Sequence, residues 1–520
     1  MRPVETEVVV VGAGPVGLTL AVALGQAGVR CTLVERKSAP QFLPKMERCN
    51  ARTMEIFRRM GLAGKIRAAG LRADVPMDVY LISAMNRAPL LRHAYPSVDE
   101  ARRAIDACTD GSLPLEPYQL ISQYTLEPLL KAEAEKVADV RYGSEFLSLE
   151  QDDHGVTAQV GKDRIHCQYL VGCDGGASLV RQQLGIALGG DGDLLRLRQA
   201  LYRCDELFDR IPIGPGPGRG RHYHVADGQA TFLIMQDSTR HWTLHAVVER
   251  DEDMAPQFEK TIGVPVKYEM LYVGEWKQNL LLAERYRERR VFLAGDAVHL
   301  VIPTGGLGMN SGVGDAVDLA WKLAGTLRGW GGPKLLDSYE LERRPIGERN
   351  VAASRYASQG RRKWRSLWRN LEELVAVADV EQRKSNEMIG AELGYRYAGS
   401  PLVVDEPGAP EPDFRAYVPT SWPGARLPHV WLRGHEAIQD RIPRGYTLLR
   451  LRGSQESPFP LEKAMGRHGA PFSILDVPDS AARELYGFDL ILLRPDLHVA
   501  WRGNRAPEAP EALAARVTGH

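Results

Sequence analysis

The segment between residues 5 and 35 constrains the fold more than any other part of the chain. Residues 5–11, ETEVVVV, end in the β-branched run typical of a buried parallel strand. A glycine-rich turn follows, then a helical stretch from Pro15 to Gln26 and a second strand from Thr32 to Glu35. This order of strand, turn, helix and strand predicts a βαβ unit.

The glycines of this turn have the spacing G-x-G-x-x-G, in which each glycine has its own role. Gly12 permits the tight turn, Gly14 lets a pyrophosphate approach the backbone, and Gly17 lets the helix pack on the strand. Glu35 stands where an acid would bond ribose hydroxyls, which favours FAD or NAD over NADP. A close-packed glycine turn is the alternative for such a motif alone. Here the full context predicts a dinucleotide site, with these candidate contacts: Gly12, Gly14, Pro15, Gly17, Glu35 and Arg36.

A second glycine-rich segment lies between Arg290 and Ala324. It predicts a buried strand (291–294), an acidic turn at Gly295-Asp296, a Pro/Gly-rich loop (303–308) and a long amphipathic helix. A helix start leaves backbone N–H groups unpaired, so an anionic or electron-accepting cofactor suits this position. Asp296 is placed to hold a ribityl or ribose hydroxyl, or it is only a turn residue.

A third segment, YLVGCDGGASLVR (169–181), again predicts a strand, a turn and a helix start. Ser178 and Arg181 lie one helical turn apart, and we expect them to face the same ligand. The alternative is a capped helix with Asp174 in the turn.

The middle and the end of the chain have a different pattern. Segments between 190 and 275 alternate apolar and polar residues, which predicts an antiparallel sheet. A basic helical stretch follows at 354–393. Its run RRKWRSLWR (361–369) is expected to be a solvated face with Trp364 and Trp368 packed inward, and the alternative is that it binds an anionic surface. After a Pro/Gly-rich linker, the tail 446–501 alternates strands and helices.

Composition excludes several classes of function. Lys+Arg and Asp+Glu are both 66 among 520 residues, so net charge gives no reason to expect a nucleic-acid partner. The six cysteines are scattered without metal-ligand spacing, which indicates reduced thiols in a cytoplasmic protein and no metal site. Glycines and a proline interrupt the apolar run 8–24, so we expect neither a signal peptide nor a membrane span.

The three motifs, in this order and at this spacing, resemble those of the class A flavoprotein monooxygenases, the para-hydroxybenzoate hydroxylase-like aromatic hydroxylases. The resemblance implies an α/β protein, α+β overall. Its parts would be a Rossmann-like FAD-binding domain (1–189 and 276–395), an inserted antiparallel-sheet substrate domain (190–275, joined by 74–117) and a thioredoxin-like domain (400–520). The last has no cysteine, so it cannot perform disulfide chemistry.

The resemblance also implies how FAD would be held. The adenosine end would lie at the first glycine turn, Asp296 would bind the sugar chain, and the backbone of Gly308, Met309 and Asn310 would face the flavin N1/O2 edge. Further implied positions are Arg48 near the pyrophosphate, Gln123 by the flavin, Asp174 for FAD and transient NAD(P)H contact, and the Pro303 carbonyl beside the substrate. Leu307 and Tyr124 differ from the family pattern, but both substitutions leave the backbone N–H donors of the loop unchanged.

The implied reaction is hydroxylation of a phenolic or other electron-rich aromatic substrate through a flavin C4a-hydroperoxide. NADPH or NADH would be the transient reductant and O2 the co-substrate. The alternatives are Baeyer–Villiger oxygenation, epoxidation, oxygen-independent dehydrogenation, or a non-catalytic flavin-binding protein. Flavin halogenases are disfavoured because no W-x-W-x-I-P segment occurs.

The residue that deprotonates the substrate is not identified. His222, Tyr223, His224 and His245 lie in the expected substrate sheet, and a satisfied structural role is expected for each histidine. His299 is expected to cap its turn. We expect a monomer or homodimer whose partner is a small aromatic substrate.

Overall fold

The computed structural model describes residues 4–45, 47–451 and 457–520. Residues 1–3, 46 and 452–456 lie outside the described residues, and with them the start of the amino-terminal segment and a short part of the predicted tail.

The strands are short except for two long partners in the central sheet. In chain order they are β1 (Val4–Glu5), β2 (Val8–Val11), β3 (Cys31–Glu35), β4 (Arg48–Cys49), β5 (Val79–Ile82), β6 (Leu91–His93), β7 (Gln119–Leu120), β8 (Asp139–Tyr142), β9 (Phe146–Gln151), β10 (Val156–Val160), β11 (Asp163–Cys167), β12 (Tyr169–Gly172), β13 (Leu188–Arg203), β14 (His222–Val225), β15 (Phe232–Met235), β16 (His241–Ala246), β17 (Glu269–Ala283), β18 (Arg287–Glu288), β19 (Val291–Leu293), β20 (His299–Leu300), β21 (Trp431–Leu432), β22 (Glu436–Ala437), β23 (Tyr446–Leu451), β24 (Phe472–Val477), β25 (Leu490–Leu493) and β26 (Val499–Gly503).

The helices surround these sheets, and two short 3₁₀ turns occur at Asp251–Asp253 and Gly295–Ala297. In chain order the helices are α1 (Pro15–Gln26), α2 (Ala51–Arg59), α3 (Ala63–Ala69), α4 (Val98–Asp106), α5 (Gln123–Ala134), α6 (Leu179–Gln183), α7 (Leu207–Arg210), α8 (Met254–Ile262), α9 (Gly308–Leu327), α10 (Pro333–Arg365), α11 (Leu371–Glu381), α12 (Arg383–Asn386), α13 (Ile389–Leu393), α14 (Ile438–Arg441), α15 (Phe459–Arg467), α16 (Ser480–Tyr486) and α17 (Pro510–Thr518).

A six-stranded sheet in the order β18-β19-β12-β2-β3-β8 carries the three glycine-rich segments. Strands β19, β12, β2, β3 and β8 are parallel, so the turns after β2, β12 and β19 meet at one edge of the sheet. Helices α1 and α9 pack on this sheet through fully buried residues such as Leu18 and Val313. Ligands bind at this carboxyl edge in open parallel sheets.

One predicted strand is divided in two. The sequence predicts a single strand over residues 5–11, but β1 pairs with β11 in a separate four-stranded sheet while β2 enters the parallel sheet. The break falls at Thr6 and Glu7, where the Glu7 carboxylate accepts a hydrogen bond from the backbone N–H of Arg30. Strand periodicity cannot reveal such a change of partner, because both halves are extended.

An eight-stranded sheet in the order β20-β17-β13-β16-β15-β14-β5-β6 lies beside the parallel sheet. Its pairs are antiparallel except β14 with β5, which bring residues 79–82 and 222–225 together in parallel. The strands from the 74–117 region therefore extend the sheet that contains the 190–275 strands.

The prediction for the basic stretch 354–393 is wrong in its boundaries. Residues up to Arg365 belong to the 33-residue helix α10, and three shorter helices follow. Trp364 is buried, as expected, but the Trp368 side chain is 39% exposed. Arg361 lines an internal cavity, so the basic run is not simply a solvated face.

The carboxy-terminal sheet has the order β24-β23-β25-β26, with β23 and β24 parallel and the other pairs antiparallel. Helix α15 connects the parallel pair and α17 follows the last strand, which is the thioredoxin-like arrangement. Across the described ranges of the chain, no helix is both long enough and apolar enough to cross a membrane.

A candidate cofactor and substrate cavity

A cavity of about 700 Å³ runs from the carboxyl edge of the parallel sheet to the face of the eight-stranded sheet. Its cofactor half is lined by the glycine turn after β2, by Asp174, by Asp296 and by the loop 303–310. Its other half is lined by side chains of β13 to β17 and by residues of α10 and α12. The cavity therefore joins the three predicted motifs to the predicted substrate sheet.

The three glycines of the first turn meet different surroundings. Gly12 has a φ of +104°, and a Cβ there would lie 2.5 Å from the Cys173 carbonyl oxygen. A Cβ on Gly17 would lie 2.0 Å from the Gly12 carbonyl oxygen, so Gly17 serves helix packing and lies outside the cavity wall. A Cβ on Gly14 would have no neighbour within 4 Å. The open space beside Gly14 is where a cofactor can approach the backbone.

Glu35 lies opposite this turn at the end of β3. Its carboxylate accepts hydrogen bonds from the backbone N–H of Ala13 at 2.9 Å and of Lys37 at 3.0 Å. Each carboxylate oxygen can accept a further bond, so Glu35 is both fixed and available to ribose hydroxyls. Arg36 and Pro15 also line the cavity.

Asp174 and Asp296 add two acids to the cofactor half. One Asp174 oxygen accepts from the Val180 N–H at 3.1 Å, while the other is buried without a hydrogen-bond partner. The Asp296 side chain is accessible from the cavity although protein encloses it, and desolvation raises the pKa of both acids. Both carboxylates thus have capacity for the hydroxyl donors of a sugar chain.

The expectation that Ser178 and Arg181 face a common ligand is wrong. Ser178 caps α6 by accepting a hydrogen bond from the Arg181 N–H at 2.9 Å. The Arg181 guanidinium donates to the carbonyl oxygens of Gly176 and Ala297, and neither residue lines the cavity. Helical spacing placed them on one face, but that face is turned into the protein.

The start of α9 presents free backbone donors to the cavity. The first helical hydrogen bond runs from the Ser311 N–H to the Leu307 carbonyl, and within the described ranges the N–H groups of Gly308, Met309 and Asn310 have no acceptor. These three residues line the cavity. The positive end of the helix dipole is therefore aimed at whatever occupies it.

Side chains hold this loop in place. The Asn310 amide donates to the Gly306 carbonyl at 2.6 Å and accepts from the Asn50 N–H at 2.9 Å. The buried Arg48 donates to the Gly305 carbonyl at 2.6 Å, and its Nε has no partner. Arg48 is thus anchored beneath the 303–308 loop, at the cavity wall.

The remaining predicted contacts also lie on the wall. Gln123 donates to Glu127 at 2.5 Å, and both side chains line the cavity. The Pro303 carbonyl accepts the Gly306 N–H at 2.8 Å, which leaves it one lone pair for a ligand. His299 differs from expectation, because its Nε2 lies 2.9 Å from the buried Asp315 carboxylate instead of capping the turn.

The substrate half contains residues that the sequence did not identify. Glu47 pairs with Arg221 through one oxygen and lies 2.6 Å from His222 Nε2 through the other. Although burial alone would raise the pKa of Glu47, the Arg221 charge and the hydrogen bond with His222 hold it well below its usual range. Burial lowers the pKa of His222 to about 4 and that of His245 to about 3. Both histidines are therefore neutral at pH 7.

The prediction of satisfied structural histidines holds for His224 but is wrong for His222 and His245. His224 contacts Gln382 and Arg365 behind the wall. His222 and His245 line the cavity, and within the described residues the Nδ1 of each has no partner. Tyr223 points to the opposite face, where it stacks on Tyr80. The alternation of side chains along β14 to β16 predicts which residues share one face of the sheet, but it does not predict which face lines the cavity.

The described residues of the cavity fit FAD. The open backbone at Gly14, the unpaired donors of α9 and the free acid oxygens form one extended set, as a dinucleotide requires. Among the residues that the structure describes, no group of three or more His, Cys, Asp or Glu side chains is placed to bind a metal ion.

Comparison with known families agrees with this geometry. Residues 5–354 match the family described as FAD binding domain, and residues 420–520 match the aromatic-ring hydroxylase C-terminal family. The chain therefore belongs to the FAD-dependent aromatic-ring hydroxylases. Its cofactor is FAD, and it is a monooxygenase that combines reduced flavin with O2.

Similar proteins cover nearly the whole chain. Aklavinone 12-hydroxylase RdmE of Streptomyces purpurascens is 34% identical over 97% of both chains, and FAD-dependent monooxygenase apdD of Emericella nidulans is 31% identical over 98% of this chain and 90% of its own. Among solved structures, RebC with bound 7-carboxy-K252c has a TM-score of 0.91 at 30% identity over 100% of both chains. The monooxygenase PieE in complex with FAD and substrate has a TM-score of 0.88 at 29% identity over 99% of this chain and 100% of its own.

Proposed function

We propose that the protein hydroxylates a phenolic or other electron-rich aromatic compound, with NADPH or NADH as the reductant. One observation carries the proposal: the free donors at the start of α9 and the aromatic side chains of the eight-stranded sheet line the same cavity. A reactive cofactor edge and a flat apolar substrate would therefore meet inside the protein. The names of the relatives, which include hydroxylases and a nitrocatechol monooxygenase, support an aromatic substrate.

The roles proposed for the cofactor half follow from its contacts. Gly12, Gly14, Pro15, Glu35 and Arg36 would hold the adenosine and pyrophosphate. The remaining residues proposed for the sugar chain and the ring are Arg48, Gln123, Asp174, Asp296, Pro303, Gly308, Met309 and Asn310. When bound, FAD supplies the hydride acceptance and oxygen activation, which no side chain here can perform.

The protein would favour the reaction in two ways. The N–H groups at the start of α9 would stabilise negative charge on the ring edge. The enclosing sheet would exclude water and orient the substrate. A phenol reacts faster when ionised, so a proton must leave its hydroxyl on the way to product.

The domain assignment completes the proposal. Residues 1–189 and 276–395 would form the FAD-binding domain, and 190–275 with 74–117 would form the substrate face. Residues 400–520 would have a role in structure or in assembly and none in disulfide chemistry, because no cysteine occurs after Cys204.

The test is turnover by the purified FAD-loaded protein with a panel of phenols and N-heteroaromatics. We expect at least one compound to accelerate NADPH or NADH oxidation at least tenfold, with O2 uptake matching product and with ¹⁸O from ¹⁸O2 in the product. The control is the same protein freed of FAD. Acceleration by no compound would contradict the proposal, and reduction of the bound FAD by a compound alone, without NAD(P)H and without O2 uptake, would indicate a dehydrogenase.

A further inference from the structure

One cation on the cavity wall has no counter-charge. Arg361, near the end of α10, lines the substrate half, and it makes no hydrogen bond or ion pair with any residue that the structure describes. Its Nε is buried without a partner among the described residues, while the residue as a whole is half-buried on the cavity wall. A ligand that filled the cavity would displace water from this charge, which is costly unless the ligand supplies a partner.

The neighbouring charges do not fill this role. Glu47 is the acid whose field acts most on Arg361, but its two oxygens already bind Arg221 and His222. Burial lowers the pKa of Arg361 to about 10, which still leaves it charged at pH 7. The nearby His222 and His245 are neutral, and Arg365 lies behind them against His224. The substrate half therefore has excess positive charge.

An aromatic shelf adjoins this cation. The Arg361 guanidinium carbon lies 5.6 Å from the centroid of the Phe232 ring. Phe232 stacks on His245 with centroids 4.4 Å apart and 2° between the planes, and Trp276 meets His245 edge-on at 6.3 Å. A flat aromatic ligand can lie along this shelf with one substituent at the guanidinium.

We propose that Arg361 binds an anionic oxygen substituent of the aromatic substrate and so selects anionic over neutral aromatic compounds. This inference rests on the proposed function, because it names the substrate class of the same cavity. A guanidinium pairs with a carboxylate through two parallel hydrogen bonds and with a phenolate through one.

The test measures ligand binding to the FAD-loaded protein without reductant, and the change in flavin absorbance reports the binding. The carboxylate probes are 2-naphthoate and its neutral isostere 2-naphthamide; the phenolate probes are ionised 4-nitro-1-naphthol and its neutral methyl ether, 1-methoxy-4-nitronaphthalene. We expect the anion of at least one pair to bind the wild-type protein about tenfold more tightly than its neutral partner, the strength of a charged hydrogen bond. In R361Q this preference should vanish while the neutral compound binds as before, and R361K should retain part of it.

The adjacent R362Q is the matched control, since Arg362 is exposed on the same helix. It should bind every probe as the wild-type protein does. Equal binding of anion and neutral compound by the wild-type protein would overturn the inference, and so would an equal loss of both in R361Q or the same loss in R362Q. Because no turnover is involved, a protein that hydroxylates nothing but shows the R361Q effect would refute the proposed reaction and not the anion site.

Discussion

At the residue scale, two glycines separated by one residue serve different purposes. Gly12 is required by the protein itself, because its positive φ and the nearby Cys173 carbonyl leave no room for a side chain. Gly14 meets nothing within 4 Å, so its missing side chain leaves room only for a ligand. The same residue type thus supports folding at one position and cofactor approach at the other.

Alanine at each position separates the two roles. G14A should leave the thermal stability of the FAD-free protein unchanged but weaken FAD binding at least tenfold, because the new Cβ occupies the cofactor's approach. G12A should destabilise the FAD-free protein by roughly 1–3 kcal/mol through backbone strain. Fluorescence titration with FAD and thermal unfolding measure the two effects. G64A, at an exposed helical position with nothing near its Cβ, is the control, and a G14A protein that binds FAD normally would refute the assignment.

At the element scale, the function of α9 depends on how its first turn is held. The backbone N–H groups of this turn can face a ligand because the Asn310 side chain fixes the loop. Its amide donates to the Gly306 carbonyl and accepts a hydrogen bond from the Asn50 N–H. The sequence predicted the helix and its Gly-rich entry. The family resemblance implied that the Asn310 backbone faces the flavin, but nothing in the sequence predicted that the Asn310 side chain would hold the loop.

N310A tests this role of the side chain. Loss of its buried hydrogen bonds should lower the free energy of unfolding by about 1–3 kcal/mol and weaken FAD binding, since the loop would no longer be held against the cavity. S178A is the comparison, because Ser178 caps a helix without lining the cavity. It should cost about 1 kcal/mol of stability without changing the FAD dissociation constant. Weaker FAD binding by S178A, with N310A unaffected, would contradict both assignments.

At the scale of the whole molecule, a buried charge cluster joins the carboxy-terminal sheet to the FAD-binding part. Lys322 of α9 contacts Asp318 at 2.7 Å and Glu342 of α10 at 2.6 Å, and Arg494 contacts Glu342 and Asp496. Three acids thus face two cations, and the pKa of the adjacent His498 is lowered to about 4, so it adds no charge at pH 7. The excess negative charge and burial raise the pKa of Asp318 to about 7.

This cluster predicts a defined pH dependence of stability. Between its ordinary pKa near 3.8 and its folded value near 7, Asp318 binds its proton more tightly in the folded protein. Stability should therefore fall as the pH rises through this range, relative to a protein without the group. The Tm of the wild-type protein minus that of D318N should decline from pH 4 to pH 7 and then level off. D337N, an exposed aspartate of α10, should show no such trend. A constant difference between wild type and D318N would contradict the prediction.

The local elements could be predicted because they depend on neighbouring residues. Helix α1 spans Pro15–Gln26 as expected, since proline begins it and the glycine turn precedes it. The FAD-binding assignment followed from three such local motifs, and the family comparison confirmed it. Predictions were wrong where contacts with distant parts of the chain decided the structure. Examples are the separate pairing of β1 and β2, the contacts of Ser178 and the surroundings of the basic run ending at Arg369.

The sequence by itself determined the cofactor class, because phosphate and ribose binding depend on short turns whose backbone conformation glycine and acid residues dictate locally. Only the tertiary structure decided the substrate half. Glu47, Arg221, His245 and Arg361 are separated by up to 314 residues, and each is unremarkable in its own segment. They meet because sheet pairing and the return of α10 bring their side chains to one cavity. Burial and neighbouring charges there shift the pKa values of Glu47, His245 and Arg361. They leave Arg361 without a partner among the described residues, a property that no residue has before the chain folds.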